Sequence, residues 1–344
     1  MEEVVAQLMS RLSWPLLAIV IALCMGALVR GADWLVGEAV ALSERSGIPK
    51  VVIGATVVSL GTTTPEAVVS VLAAIQGRSG LALGNAVGSI ICDTGLILGV
   101  ACLISPLPLQ RRIVNRQGWI QFGAGFLLVA GCFCWSDIPS SFSQGGGLSQ
   151  ATGFLFLVLL ALYLWLSVRW SRGEEAVIRP RGRLKPEGGF RFSSGLLFMK
   201  LLLAIILVVA SSWVLIPAVG EAAARLHVPE SIIAATLVAF GTSLPELVTA
   251  VAAASRGHGE LAVGNVVGAD ILNVLFVAGA SAAVTSGGLP APYYFFTLYF
   301  PSMLAVLIVF RIGIWLSGSH LRRAFGAILF FTYLLVSVFS YVGR

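Results

Sequence analysis

Four acidic side chains stand inside apolar stretches of this chain: Glu66, Asp93, Glu246 and Asp270. A carboxylate within a bilayer costs roughly 2.5 to 3.5 kcal/mol on insertion scales, so the four together cost on the order of 10 kcal/mol. Bound cations would offset that, and so would protonation. Helix packing alone asks for glycine and serine rather than acids. Around each glutamate the residue types point the same way. Thr62 and Glu66 are four residues apart, as are Thr242 and Glu246, which puts a hydroxyl and a carboxylate on one helical face. Pro65 and Pro245 lack an N–H and crowd the carbonyl four residues back, so they free the carbonyls of Gly61 and Gly241. In lipid an unpaired carbonyl is tolerated only where protein or a hydrated cavity covers it, so both breaks are expected to face a bundle centre. Carboxylate, hydroxyl and carbonyl at one depth make the all-oxygen set that Ca²⁺ prefers. With no Cys or His in that shell, a soft transition metal is disfavoured.

The next helix of each set continues the pattern. Asn85, Ser89 and Asp93 recur every four residues and form one polar stripe, with Asn265, Ala269 and Asn273 as counterparts. Gly84, Gly88, Gly264 and Gly268 read as close-packing positions. The word counterpart is literal, because a shift of 180 positions lays residues 49–99 on 229–279 without a gap. About 22 of those 51 positions are identical, and the matches include polar and structural residues as well as Leu, Val and Ala. Gly61-Thr62-Thr63-Thr64-Pro65-Glu66 falls on Gly241-Thr242-Ser243-Leu244-Pro245-Glu246, and Leu81-Ala82-Leu83-Gly84-Asn85 on Leu261-Ala262-Val263-Gly264-Asn265.

The elements that must position these residues follow from composition. Of 344 residues 58% are hydrophobic and 11% charged, where a soluble domain carries about 25% charged residues. A water-soluble protein is excluded, and an all-α integral membrane bundle is expected. Apolar runs place ten transmembrane helices near 12–32, 46–75, 81–104, 117–136, 150–169, 195–216, 229–255, 261–286, 292–312 and 323–341. With five spans between equivalent positions, the two halves cross the membrane in opposite senses. Inverted repeats with discontinuous helices are how many secondary transporters build a midplane site. The expected units are therefore residues 1–168, a five-helix half with its repeat at about 49–99, and residues 195–344, a second half with its repeat at about 229–279. Between them residues 169–194, rich in Arg, Pro and Gly, read as a mobile basic linker.

Charge supplies the topology. On alternate sides of ten spans the Lys and Arg residues divide 18 to 4, which places the linker in the cytoplasm and both termini outside it. An integral cell (inner) membrane location is expected. The net charge of +6 is thus a topology code, and no basic, aromatic-interleaved patch suggests nucleic acid. Met1-Glu2-Glu3 is acidic where a signal peptide needs positive charge, so the first helix is expected to be retained. Asp33, Glu38, Glu44, Glu221 and Glu230 sit near span ends, where solvation is expected. Cys24, Cys92, Cys102, Cys132 and Cys134 read as small core residues. His227, His258 and His320 have no ligand-like spacing.

At the repeated motifs the chain resembles the cation/Ca²⁺ exchanger superfamily, and most closely its sodium/calcium exchanger members, with two inverted α-repeats carrying GTS-x-PE and GN-x-x-GSN-like motifs. The resemblance implies a secondary active antiporter that exchanges Ca²⁺ for Na⁺ by alternating access. It implies Glu66 and Glu246 as central Ca²⁺ ligands, with backbone carbonyls near Thr62 and Thr242. It also implies Na⁺ sites involving Ser59, Thr63, Ser89, Asp93, Ala239 by its carbonyl, Ser243 and Asn273. The partners are then Ca²⁺, Na⁺ and the lipid bilayer, with a monomer as transport unit and no covalent cofactor. Two departures stand out: the GSN-like triplets read Gly88-Ser89-Ile90 and Gly268-Ala269-Asp270. Ala269 removes a hydroxyl from one implied Na⁺ site, and Asp270 adds a carboxylate at a position usually neutral. The proton-coupled branch typically shows a Glu where this chain has Gly88 and Gly268. The alternative is a Ca²⁺/H⁺ or other divalent-cation/H⁺ exchanger with Asp270 or Asp93 as proton carrier. An enzyme is disfavoured, since neither a nucleophile elbow nor a His-Glu zinc motif is present and the Asp270 context lacks the Gly-x-Gly-Asp of an intramembrane aspartyl protease. A passive channel is the remaining class.

Overall fold

The computed structural model describes residues 2–178, 194–226 and 243–342. It is helical throughout apart from four strands of two or three residues. In chain order the principal helices are α1 (Glu2–Ser10), α2 (Trp14–Ser46), α3 (Lys50–Ile75), α4 (Ser79–Ile104), α5 (Arg111–Cys132), α6 (Gln150–Ile178), α7 (Ser194–Arg225), α8 (Leu244–Ser255), α9 (Gly259–Val284), α10 (Phe295–Leu316) and α11 (Arg323–Val342). A helix lies in each of the ten expected stretches. Among the described residues, seven helices are long and apolar enough to cross a membrane.

Burial sorts the helices into layers. The most apolar window of α9 is 94% buried and that of α4 is 78%, whereas α2 and α6 reach 22% each. The repeat helices thus form the centre, and α2 and α6 turn large apolar side chains such as Leu23, Val29, Val158 and Trp165 outward. Glycine makes the central approach possible. A Cβ at Gly264 would collide with the Val51 backbone, and one at Gly268 would meet the Ala55 backbone and Ser59 Oγ. At Gly54 it would meet the Leu261 carbonyl at 2.6 Å. Backbone therefore lies against backbone where α3 crosses α9. Gly84 and Gly88 differ, meeting nothing nearer than Phe295 at 3.9 Å among the described residues. The segment equivalent to 51–59, 231–239, lies outside the described residues.

Three expectations about elements change. The first span, expected at 12–32, continues to Ser46. Nothing between Trp14 and Ser46 breaks the helix, and it ends only where Gly47 adopts φ 71°, its N–H bonding to the Ser43 carbonyl. Asp33 and Glu38 are consequently mid-helix rather than solvated ends. Each is paired, Asp33 with Arg256 at 2.9 Å and Glu38 with Lys200 at 3.9 Å, and the Trp34 indole N–H donates to Glu38. Similarly, Glu221 pairs with Arg225, while Glu230 lies outside the described residues. Second, α6 runs on to Ile178, so only 179–193 of the expected linker lies outside the described residues. Third, Pro65 does not interrupt its helix. The helix around it is continuous, with a π-helical turn at Gly54–Val58. Near the proline, the Thr62 hydroxyl donates to the carbonyls of Val58 and Ser59 and that of Thr64 to Leu60, so side chains satisfy carbonyls within the turn.

Segments joining the helices contact one another in two separate sets. In one, β1 (Leu107–Pro108) pairs with β4 (His320–Leu321), Arg111 donates to the Ser317 and Gly318 carbonyls, and Lys50 Nζ lies 3.1 Å from His258 Nδ1. In the other, β2 (Gly146–Leu148) pairs with β3 (Leu289–Ala291), and Arg225 reaches the carbonyls of Met9 and Ser10. Each strand pair thus joins a strand that precedes residue 168 to one that follows residue 195.

Candidate cation-binding site

Glu66 lies in α3 one residue after Pro65, and Glu246 in the first turn of α8 one residue after Pro245. They are 1% and 0% exposed. Each accepts from a hydroxyl of the opposite repeat: Ser243 Oγ donates to Glu66 Oε1 at 3.1 Å, and Thr63 Oγ1 donates to Glu246 Oε1 at 3.2 Å. Because Ser243 is the counterpart of Thr63 and Glu246 of Glu66, the two bonds are the same bond made twice. Neutral donors lower the cost of a buried carboxylate without cancelling its charge.

The polar stripe of α4 adds to this centre. Ser89 Oγ donates to Glu66 Oε1 at 3.0 Å. The Asn85 amide donates to Ser70 Oγ at 2.9 Å, tying α4 back to α3. On the other side Ala269 brings no hydroxyl to Glu246, and Ala250 stands where Ser70 would. Accordingly neither amide atom of Asn265 has a hydrogen-bond partner among the described residues.

Asp93 and Asn273 occupy equivalent places on π-helical turns, Cys92–Ile97 in α4 and Asn273–Ala278 in α9. A π turn widens the helix and misaligns its carbonyls, a device common at functional sites. Both residues are 0% exposed; Asn273 has no side-chain hydrogen-bond partner among the described residues, and Asp93 has the Ser243 hydroxyl beside it. Asp270, 2% exposed, accepts at Oδ2 from Thr94 Oγ1 and from the Gln121 amide. Its Oδ1 has no partner among the described residues.

Of the remaining expected residues, Ser59 is buried where Gly268 presses on α3, and Thr62 is buried with its hydroxyl between the Val58 and Ser59 carbonyls of its own helix and the Glu246 side chain. Ala239 and Thr242 lie outside the described residues. No three Asp, Glu, His or Cys side chains gather around one point among the described residues. A cation here would therefore be held by carboxylates together with hydroxyls and carbonyls.

Two residues were missed in the sequence. Gln121, on α5 outside both repeats, bonds to Thr94 and to Asp270. Tyr163 on α6 donates its hydroxyl at 3.1 Å to the Ala55 carbonyl, within the first π turn. Gln117 and Gln121, four apart in an apolar run, were the available signal for the first; nothing in the sequence marked Tyr163.

A model of the sodium/calcium exchanger protein family matches residues 16–169 and 196–342. The chain is 33% identical over 307 residues to the inner membrane protein YrbG of Escherichia coli strain K12, covering 88% of this chain and 89% of that protein. It is 31% identical over 332 residues to the sodium/calcium exchanger MaX1 of Methanosarcina acetivorans, covering 89% and 93%. Among solved structures, the sodium-calcium exchanger NCX_Mj soaked with 10 mM Na⁺ and no Ca²⁺ matches at a TM-score of 0.77 and 25% identity, over 94% of this chain and 98% of that one.

Proposed function

Since this chain belongs to the sodium/calcium exchanger family, we propose that it is a secondary active antiporter exchanging Ca²⁺ for Na⁺ by alternating access. The reciprocal bonding of Glu66 and Glu246 across the repeats carries this reading. Two carboxylates neutralise one Ca²⁺. When Na⁺ replaces it, Ser59, Thr63, Ser89, Ser243, Asn273 and the Ala239 carbonyl supply oxygens, and Asp93 and Asp270 supply further charge. Backbone carbonyls near Thr62 and Thr242 complete the Ca²⁺ shell.

Ten membrane-spanning helices in two inverted halves, 1–168 and 195–344, surround this centre, joined by the basic segment 169–194. The strand pairs that exchange partners between halves support the inversion. The protein resides in the cell (inner) membrane with both termini outside the cytoplasm, acts as a monomer and needs no covalent cofactor. Access alternates as α2 and α7, packed along one another at the periphery, rock against the repeat helices. A second reading, exchange of a divalent cation for H⁺ through Asp270 or Asp93, draws support from the burial of both acids and from Asp270 Oδ1, which has no partner among the described residues.

Proteoliposomes preloaded with Na⁺ test the choice. Ca²⁺ accumulates only when the Na⁺ gradient points outward if Na⁺ is the counter-ion. Uptake indifferent to Na⁺ and driven by a pH gradient would replace this reading with the second.

A further inference from the structure

Asp270 is held by a device that the repeat does not explain. Its neighbours on α9 belong to the second repeat, but the groups that hold it come from other helices: Thr94 from the π turn of α4 in the first repeat, and Gln121 from α5, which belongs to neither repeat. The Gln121 amide has two N–H groups and uses them on Thr94 Oγ1, at 3.0 Å, and on Asp270 Oδ2. Thr94, receiving at its oxygen, spends its own hydrogen on the same Oδ2. The three side chains close a ring in which every donor is directed. Thr94 is 0% exposed, Gln121 2% and Asp270 2%, so water does not compete. Fixing one carboxylate oxygen twice fixes the direction of the other, and Oδ1 is left buried without a partner among the described residues. Thr94 is also the residue after Asp93, so the ring ties the two acids that differ between the repeats to a single outer helix.

We propose that Gln121 is a positioning residue of the ion site: with Thr94 it locks Asp270 by one oxygen, holds the other ready for a transported cation, and so sets how well Na⁺ competes with Ca²⁺. This rests on the exchange reading above. The test is a double-mutant cycle on purified full-length protein, with Gln121→Leu, Asp270→Asn and the pair, read in two ways. One reading is melting temperature without added cation. The other is the concentration of Na⁺, and separately of Ca²⁺, giving half-maximal thermal stabilisation.

Residues that orient a metal ligand typically change affinity by about 10- to 100-fold when lost. Gln121→Leu is therefore expected to raise the half-maximal Na⁺ concentration about tenfold, and to have no further effect once Asp270 is Asn. Thr94→Val removes the other donor and is expected to shift Na⁺ in the same direction, which covers the case in which Gln121→Leu does not fold. Gln117→Leu, one turn away on the same helix, is expected to leave the Na⁺ response unchanged. Additive effects of Gln121→Leu and Asp270→Asn on the cation responses would overturn the inference, as would a Gln117→Leu shift equal to that of Gln121→Leu. Coupling seen only in the cation-free melting temperature would reduce Gln121 to a packing role and overturn it equally. If wild type responds to Ca²⁺ but not to Na⁺, the Na⁺ part of the exchange reading fails, and the Ca²⁺ arm of the cycle alone decides the role of Gln121.

Discussion

The two repeats agree at their glutamates and diverge one helix later. In the agreeing part, Thr63 and Ser243 reach across to Glu246 and Glu66 with bonds of nearly equal length, 3.2 and 3.1 Å. In the diverging part, the first repeat has Ser70, Ser89, Ile90 and Asp93 where the second has Ala250, Ala269, Asp270 and Asn273. Each repeat keeps two acids inside its apolar stretches, but the second of these sits three residues, nearly one helical turn, earlier in the second repeat. Glu66 therefore gains the Ser89 hydroxyl, for which Glu246 has no equivalent, and Asp270 gains Thr94 and Gln121, while Asp93 is left beside Ser243. The difference teaches a division of labour. On the exchange reading proposed above, the symmetric pair serves the ion that both halves hold in common, and the asymmetric shell is where the two sides treat the counter-ion differently.

The largest effect expected is from the shared part. Glu66→Gln and Glu246→Gln should each reduce Ca²⁺ uptake into proteoliposomes to background, with folding retained in melting experiments; transport surviving in only one of them would break the equivalence. Next come the reciprocal donors. A hydrogen bond to a charged group is worth about 1.5 to 3 kcal/mol, and 1.4 kcal/mol is tenfold in affinity. Ser243→Ala and Thr63→Val should thus each weaken half-maximal Ca²⁺ uptake about tenfold, and by matching factors if the centre is symmetric. The asymmetric shell predicts smaller shifts. Ala269→Ser gives Glu246 the hydroxyl that Ser89 gives Glu66, and is expected to tighten Na⁺ competition about threefold, with Ser89→Ala loosening it by a similar factor.

The smallest effect lies at the periphery, where His258 meets Lys50. Partial burial first, and then the Lys50 charge, hold the imidazole below its usual range. Arg256 also lowers it, and Glu260 and Glu44 oppose. The folded chain therefore favours the neutral ring. The stabilisation is fully present above the ordinary histidine value and is lost as pH falls below it. Melting temperature should dip slightly on acidification, and His258→Gln should flatten the dip.

Much of the centre was legible in the sequence, because an acid in an apolar run, a proline beside it and the same pair 180 residues later can be read without coordinates. The stretches of ten helices were legible for the same reason, since lipid imposes length and hydropathy. What depended on distant partners was not. Asp33 and Glu38 read as solvated ends because a linear pattern does not show that Arg256 and Lys200 arrive beside them. Gln121 and Tyr163 act on repeat residues from helices outside the repeats, so internal similarity is silent about them. The π turns were hidden too, since a single wide turn leaves no trace in an apolar periodicity.

The central claim is that the repeats build one Ca²⁺ site jointly. Equilibrium binding of Ca²⁺ to the purified protein without Na⁺ tests it most directly. The account predicts one Ca²⁺ per chain, lost with either Glu66→Gln or Glu246→Gln and displaced by added Na⁺. Two Ca²⁺ per chain, each surviving the loss of the other repeat's glutamate, would contradict it.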